Sequence, residues 1–233
     1  MNQPLVSIIT PSYNSGRFIR EVYKSILLQT YDNWEWLVTD DLSSDDTVSV
    51  LFELTNKDSR VKIFTHDINK GAGASRNNSI QHSEGAFIAF LDSDDLWFPD
   101  KLEKQIKFMQ HNNLALSYTG YQKFSSDKEL GVIVPPLHTS YEKLLKGNVI
   151  GCLTVIYDVS KIGKCYMPLI RKRQDFGLWL NILKKTDAVA GMPDILAKYR
   201  VDSGMTKNKL DAARWQWRFY REVEQLTFIK TIY

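Results

Sequence analysis

The first 110 residues of this 233-residue chain alternate between short apolar strands and amphipathic helices, and this alternation most constrains the fold. The strand-like runs are LVSIIT, WEWLVTD, RVKIFTH and AFIAFL, and each precedes a polar turn and a helical segment. In the first helical segment, RFIREVYKSILLQT, apolar residues recur at helical spacing. Such alternation predicts an α/β fold with a mainly parallel sheet, right-handed crossovers and flanking helices.

The most polar turns of this half directly follow strands. They are PSYN, DDLSSDD and DSDD, after the first, second and fourth strands. Ligands of such sheets bind beyond the carboxyl ends of the strands, so we expect these turns to meet along one edge. Asp92, Asp94 and Asp95 would repel one another at the mouth of a buried strand, which indicates that a cation belongs there. Mg²⁺ or Mn²⁺ suits such oxygen ligands and is often shared with substrate phosphates.

A structural role for the same acids remains open from the pattern alone. Asp and Ser cap helices, acids are stabilised at helix N-termini, and a helix is predicted from near Pro99. An isolated Asp-x-Asp is also short and common. The position of these acids at the end of a strand favours the cation site.

Composition excludes several classes of protein. A net charge of +3 does not indicate a dedicated nucleic-acid-binding protein. Cys152 and Cys165 are too few for a disulfide framework or a zinc site and indicate a reducing compartment. We find neither a signal-peptide pattern nor an apolar run of the roughly 18 residues that a spanning helix needs. The expectation is a cytoplasmic protein, with at most peripheral contact with the inner membrane.

Three segments together carry a family resemblance. They are VSIITPSYNSGRFIREVYKSILLQTYDNWEWLVTDDLSSDDT, NKGAGASRNNSI and EGAFIAFLDSDDLWFPDKL, in this order over the N-terminal hundred residues. The chain resembles the family 2 glycosyltransferases of the Rossmann-like GT-A fold, and in general the short O-antigen and capsule enzymes. The resemblance implies metal-dependent, inverting transfer of a sugar from a nucleotide diphosphate, here a UDP-sugar, to an acceptor hydroxyl.

The resemblance also implies roles on the nucleotide side. Pro11 and Tyr13 would flank the base, Tyr13 by stacking. Asp41 would accept the N3 hydrogen of uracil, with Asp40 beside it. Arg76 would contact the nucleotide side of the pocket. Structural alternatives stay open: packing for Tyr13, helix capping for Asp41 and ion pairing for Arg76.

At the acidic turn, the resemblance places Asp92 near the ribose or the donor sugar and makes Asp94 the principal metal ligand. Asp175, in QDFGLWL, matches the position of the catalytic base, which deprotonates the acceptor hydroxyl. The family usually carries Glu-Asp there, whereas this chain has Gln174-Asp175. On chemistry alone, Asp175 could equally cap its helix.

After about Leu114 the pattern changes. LALSYTGYQKF, LGVIV and ILAKYRV predict strands, SYEKLLKGN and QDFGLWLNILKKT predict helices, and the tail from Lys207 to Lys230 predicts one long helix. No linker separates these parts. We therefore predict a single domain with a nucleotide-sugar-binding half (1–113), an acceptor half (114–206) and a C-terminal helix (207–233).

The second half also offers candidate acceptor contacts, namely Arg171, Arg173 and Trp179. A charge run is usually a solvated surface, but the guanidinium groups would also suit the diphosphate of a lipid-linked acceptor. The tail interleaves arginines with aromatic residues, which predicts either packing on the domain or docking on an anionic membrane. The segment YRVDSGMTKNK resembles a loop that closes over the donor in relatives.

Two other functions fit the sequence less well. A sugar nucleotidyltransferase is disfavoured because the first strand turn lacks the glycine-rich signature of that class. A nucleotide-sugar-binding module without activity is disfavoured because Asp94 and Asp175 are present.

Overall fold

The structure is a computed structural model that describes residues 3–125, 128–202, 209–228 and 231. Within these ranges the strands are β1 (Val6–Ser12), β2 (Trp34–Asp40), β3 (Val61–Thr65), β4 (Phe87–Phe90), β5 (Leu96–Trp97), β6 (Leu116–Ser125), β7 (Lys128–Ile133), β8 (Ile156–Asp158) and β9 (Val189–Arg200). The helices are α1 (Gly16–Leu27), α2 (Thr47–Lys57), α3 (Ala72–His82), α4 (Lys101–His111), α5 (Tyr141–Lys146), α6 (Val159–Ile162), α7 (Gln174–Leu183) and α8 (Lys209–Arg218). A 3₁₀ turn spans Cys152–Thr154, and a π-helical turn spans Phe219–Val223.

The strands form one sheet in the order β3-β2-β1-β4-β8-β6-β9-β5, with β7 paired to β6. The strands β3, β2, β1 and β4 are parallel, as the alternating pattern predicts. Beyond β4 the sheet is mixed, because β8 is antiparallel to both β4 and β6, whereas β9 is parallel to β6. The predicted α/β class is confirmed, and the parallel part of the sheet is its first half.

The sheet is covered on both faces. Ile8 and Ile9, neighbours in β1, belong to two different apolar clusters, because successive strand residues point to opposite faces. The first cluster includes Trp36 and the inner side of α1 and α2, and the second includes Phe90 and α7. β1 is consequently buried along its whole length, as expected for a central parallel strand.

The prediction of one long C-terminal helix is wrong. α8 ends at Arg218, the π-helical turn follows, and Gln225 has a φ of 53°. The turn is held by tertiary contacts. Phe219 is buried, and the Glu224 carboxylate accepts a hydrogen bond from the Tyr141 hydroxyl over 2.7 Å and forms an ion pair with Lys184 over 2.7 Å. Residues 207, 208, 229 and 230 of the predicted helix lie outside the described ranges. Among the described helices, none is long and apolar enough to cross a membrane.

Candidate active site

The register of the sheet brings the polar turns together. Ser12, the last residue of β1, pairs with Asp40, the last residue of β2, so the turns after these strands begin at the same level. Thr10 in β1 donates its hydroxyl to the carbonyl oxygen of Leu91, directly before the acidic turn. The hydroxyls of Ser15 and Ser93 lie 2.8 Å apart and join the first turn to the third. The expected common edge is therefore present.

The acidic turn, Asp92 to Asp95, joins β4 to β5. Asp95 is buried, and burial together with the negative charges of Asp92 and Asp94 raises the pKa of its carboxyl well above the usual range. α4 begins at Lys101 with Asp100 at its N-cap position, so none of the three acids is the N-cap of that helix. The acids are held close together for a reason other than capping, and their repulsion would be relieved by a cation.

Arg200, at the end of β9, holds the acidic turn in place. Its backbone N–H donates to Asp95 Oδ1 over 2.8 Å, and its Nε donates to the carbonyl oxygen of Asp94 over 2.8 Å. The guanidinium lies 4.5 Å from the ring centre of Phe18 and 4.4 Å from that of Phe124. It also pairs with Glu21 over 2.6 Å. A planar cation between two rings is well suited to fix this turn.

Arg76, on α3, is buried beside the same turn. Its Nη2 pairs with Asp92 Oδ1 over 2.5 Å, so the ion pair considered from the sequence is present. Its Nε has no hydrogen-bond partner among the described residues. Burial lowers the pKa of the guanidinium, but the charge and hydrogen bond of Asp92, together with Cys152 and Asp175, outweigh this effect, and the net pKa is raised. Arg76 is thus a permanent buried cation with one donor left for a ligand.

A cavity of about 560 Å³ opens beside these residues. It is lined by Arg76, Asp92 and Asp95 from the first half of the chain and by Arg171, Lys172, Arg173, Gln174 and Asp175 from the second half. Tyr121, Tyr199, Cys152 and Trp215 also contribute to its wall. The cavity therefore joins the nucleotide-side elements to the second half of the chain, and it is large enough for a sugar.

Asp175 lies in the first turn of α7 and faces this cavity. The N-cap position belongs to Arg173, whose φ is 68°, so Asp175 is not the N-cap that the alternative interpretation required. Burial raises the pKa of the Asp175 carboxyl, while a backbone hydrogen bond and the charges of Arg76 and Arg173 partly oppose this effect. A carboxylate with a raised pKa is a stronger base than an exposed one.

The residues predicted to bind the nucleotide base do not line this cavity; they are Pro11, Tyr13, Asp40 and Asp41. Asp41 accepts hydrogen bonds from the backbone N–H groups of Lys70 (2.8 Å) and Gly71 (2.7 Å) and lies 3.0 Å from His66 Nδ1. Asp41 does not cap α2, whose N-cap position is occupied by Asp46. The carboxylate of this buried residue holds the segment before α3.

The other three residues predicted to bind the nucleotide base differ in burial. Asp40 is buried, and its carboxylate accepts hydrogen bonds from the N–H (2.8 Å) and the hydroxyl (2.5 Å) of Ser43, so it shapes the turn after β2. Pro11 is buried within β1. Tyr13 is 54% exposed, which excludes a packing role and leaves its ring accessible for stacking.

Trp179 requires a correction. It is fully buried, with its ring 5.4 Å from that of Phe90, and it does not line the cavity, so it is not available to contact an acceptor. Its large apolar side chain packs into the core instead. Arg171 and Arg173, in contrast, do line the cavity.

Sequence reasoning missed several residues of the cavity wall. Asp95 was visible as the third acid of its turn, but no pattern indicated that it would be buried. Cys152 is placed beside Arg76 and Asp92, and burial raises the pKa of its thiol well above the usual value. Tyr121 and Tyr199, on β6 and β9, reach the cavity through pairing that only the folded sheet defines.

The chemistry of the acidic turn fits a hard divalent cation. No group of three or more His, Cys, Asp or Glu side chains among the described residues forms a complete metal site. Mg²⁺ and Mn²⁺ in phosphate-handling sites are commonly bound through one or two carboxylates, with substrate phosphates completing the shell. Asp94 would hold such an ion, with Asp92 beside it already paired to Arg76. The ion would neutralise charge on a diphosphate.

Comparison with known proteins agrees with this geometry. The model of "Glycosyl transferase family 2" matches residues 7–155. TuaG of Bacillus subtilis, named as a candidate teichuronic acid biosynthesis glycosyltransferase, is 42% identical over 98% of this chain and 92% of its own length. WfgD of Escherichia coli, named as a UDP-Glc:α-D-GlcNAc-diphosphoundecaprenol β-1,3-glucosyltransferase, is 42% identical over 93% of this chain and 85% of its own length.

The fold has solved counterparts. Staphylococcus aureus TarS in complex with UDP superimposes with a TM-score of 0.73 at 19% identity, covering 97% of this chain and 68% of that chain. A mannosyltransferase from Pyrobaculum calidifontis with GDP-Man and Mn²⁺ superimposes with a TM-score of 0.66 at 17% identity, covering 96% and 63%. The predicted GT-A fold is thereby confirmed. With a family match over most of its length and close full-length relatives, the chain belongs to glycosyl transferase family 2 and is a glycosyltransferase.

Proposed function

We propose that this glycosyltransferase moves one hexose, with inversion, from a UDP-sugar to a hydroxyl of a lipid-diphosphate-linked glycan in bacterial surface-polysaccharide assembly. The observation that carries the proposal is that one cavity is lined by a candidate base, Asp175, together with Arg76 and with Asp92 and Asp95 of the acidic turn. An inverting transfer needs a base on the side of the sugar opposite to the leaving group.

The proposed reaction is a single displacement. The acceptor oxygen attacks the anomeric carbon, the bond from that carbon to the diphosphate oxygen breaks, and UDP leaves with the bonding electron pair. The carboxylate of Asp175 takes the proton of the acceptor hydroxyl. Arg76, buried and cationic, would stabilise negative charge on the leaving diphosphate side. A divalent cation, when bound by Asp94, would supply the remaining charge neutralisation.

Two relatives narrow the donor and the acceptor. WfgD and WfaP of Escherichia coli are both named as enzymes that use UDP-Glc and a GlcNAc-diphosphoundecaprenol acceptor, and WfaP is 38% identical over 86% of this chain. Glucose is therefore our first choice of sugar and galactose the second. The uncharged, exposed ring of Tyr13 and the carboxylate of Asp41 suit a uracil base.

The test is a screen of UDP-sugars with a short-chain lipid-diphosphate GlcNAc acceptor, in Mn²⁺ and in excess chelator. We expect transfer from UDP-glucose or UDP-galactose, a product of inverted configuration at the anomeric centre by NMR, and loss of transfer in chelator. Retention of configuration or full activity in chelator would contradict the mechanism.

The same screen distinguishes the rival functions. A binding module without activity would bind UDP-sugar in a titration and transfer nothing to any acceptor. A nucleotidyltransferase would consume a sugar phosphate and a nucleoside triphosphate and release pyrophosphate, which a phosphate-release assay detects.

A further inference from the structure

A second cavity lies next to the candidate active site. Its volume is about 210 Å³, and it lies between the segment that precedes α7 and the C-terminal α8 with its π-helical turn. Arg171 and Trp215 line both this cavity and the larger one, so the two are neighbours that share a wall. We call the second cavity the tail groove.

Four of the seven residues that line the tail groove are apolar. Leu169, Ile170, Trp215 and Phe219 contribute to its lining, and Leu169 is 77% exposed. An exposed leucine beside a tryptophan in a concave surface is typical of a site for an apolar ligand. The charged lining residues Arg218 and Glu222 pair with each other across one helical turn, over 3.1 Å. The charges of Arg218 and Glu222 therefore compensate each other, which leaves Arg171 as the remaining charged residue of the lining.

The junction with the larger cavity is cationic. Arg171 is exposed and, among the described residues, forms no ion pair, and Arg173 lines the larger cavity beside it. Guanidinium groups bind phosphates through two parallel hydrogen bonds. Along this surface the candidate base Asp175 is therefore followed by the cations Arg173 and Arg171 and then by the tail groove. An amphiphile with a sugar, a diphosphate and a hydrocarbon chain has its groups in the same order.

We infer that the tail groove binds the hydrocarbon chain of the lipid-diphosphate acceptor while Arg171 and Arg173 bind its diphosphate. This inference rests on the proposed function for the identity of the acceptor. The chain segment nearest the diphosphate lies along Leu169 and Trp215, and the sugar reaches the larger cavity in front of Asp175. The rest of a long hydrocarbon chain continues beyond the tail groove, because the volume of the groove accommodates only a few carbon units.

The wall of the groove is fixed relative to the candidate base. The ring of Phe219 packs 4.9 Å from that of Phe176, which follows Asp175 directly in α7. Glu224 ties the same turn to Tyr141 and Lys184. Because one packed unit carries both the groove and Asp175, a chain bound in the groove would hold the acceptor sugar at a constant distance from the base.

A membrane surface is the competing occupant. Trp217 is 40% exposed and Phe228 is 61% exposed, and their rings contact each other with centres 5.6 Å apart. These residues do not line the tail groove. Concavity, continuity with the active-site cavity and the cations at the junction favour a single lipid chain over a bilayer surface.

The test compares farnesyl diphosphate with inorganic pyrophosphate by calorimetry on the full chain without detergent. We expect farnesyl diphosphate to bind at least about tenfold more tightly, because burying part of an isoprenoid chain is worth roughly 1.4 kcal/mol or more. In the Leu169→Asp variant, the dissociation constant for pyrophosphate divided by that for farnesyl diphosphate should fall towards one. Phe52→Asp is the matched control: Phe52 is 52% exposed on α2, which packs against α1 and β3, and the ratio should stay unchanged.

Three outcomes would overturn the inference. The first is equal affinity for the two ligands in the unmodified chain, and the second is an unchanged ratio in Leu169→Asp. The third is that Leu169→Asp weakens only co-sedimentation with anionic phosphatidylglycerol vesicles, which would assign the residue to a membrane surface. Failure of the proposed function looks different: it is the absence of transfer from every UDP-hexose to the short-chain acceptor, whatever the binding ratio.

Discussion

Replacing Asp175 with asparagine separates a catalytic base from a structural carboxylate. The amide preserves the size of the side chain in the first turn of α7 but does not accept a proton. Removing a general base typically costs about 10²–10⁴-fold in rate, which corresponds to roughly 3–5 kcal/mol of transition-state stabilisation. UDP affinity should be nearly unchanged, because the residues predicted to bind the nucleotide base do not line the cavity that Asp175 faces.

The structure also predicts the effect of this substitution on stability. Burial raises the pKa of Asp175 in the folded chain above its value in the unfolded chain. The folded state therefore binds more protons between the two pKa values, and stability falls as pH rises through that interval. Above the folded-state pKa of Asp175 this stability is lost, at about 1.4 kcal/mol per unit of pKa difference. Asp175→Asn should thus be at least as stable as the native chain at pH 7.

The pH dependence of kcat tests the same group. Asp175 is an active base only when ionised, so kcat of the native chain should fall on the acid side, at a pH above the ordinary aspartate pKa of about 3.9. The residual activity of Asp175→Asn should not show this acid limb. The matched control is Asp100→Asn, which changes an N-cap carboxylate of α4 outside the cavity and should retain normal turnover. Near-normal turnover in Asp175→Asn, or a large loss of UDP affinity, would refute the assignment.

Four further predictions concern the divalent cation, the nucleotide base, the acidic turn and the buried Lys101. Asp94→Asn should remove the Mn²⁺ dependence of UDP-sugar binding in calorimetry, because an amide is a weak ligand for a hard cation; binding that still responds to Mn²⁺ would refute this role. Asp41 should favour UDP over CDP by about 10–100-fold, because cytosine lacks the N3 hydrogen and a charge-assisted hydrogen bond is worth about 1.5–3 kcal/mol; equal affinities would contradict it. Arg200→Lys should lower kcat/KM by about tenfold or more. Lysine neither stacks as a plane between two phenylalanine rings nor supplies the Nε donor to the acidic turn. A variant with the same kcat/KM as the native chain would rule this out. Burial lowers the pKa of Lys101 to about 7, so the native chain should become more stable as pH rises from about 7 towards the lysine value near 10.4, and Lys101→Met should lack this rise in denaturant titrations.

Much of the first half could be predicted from local patterns. Each strand of the alternating region is present, and the acids at the strand ends lie along one edge as expected. This succeeded because a parallel sheet places all carboxyl ends on one side, so a linear pattern already implies a spatial one. The assignment to a glycosyltransferase family followed from the order of three motifs in the same region.

The second half was less predictable. The sequence predicted β6, β7, β9, α5 and α7 there, but not β8 or α6. It did not predict the order of the strands in the sheet, because β8, β6 and β9 pair over long sequence separations. The tail was expected to be one helix from its composition. Instead, Phe219 and Glu224 form tertiary contacts that are satisfied only when the helix ends after a π-helical turn. Tertiary contacts override local helix propensity of this size.

The sequence by itself determined which residue types stand at the strand ends and which elements carry them. Only the tertiary structure decided how each polar group is used. Asp40 and Asp41 are adjacent in sequence, yet one carboxylate binds the turn that follows it and the other binds a segment almost thirty residues away. Trp179 and Asp175 share a helix, yet one is buried in the core and the other faces the cavity. The physical reason is that local periodicity selects a helix or a strand, whereas burial and hydrogen-bond partners come from residues that are distant in sequence and close only in the folded chain.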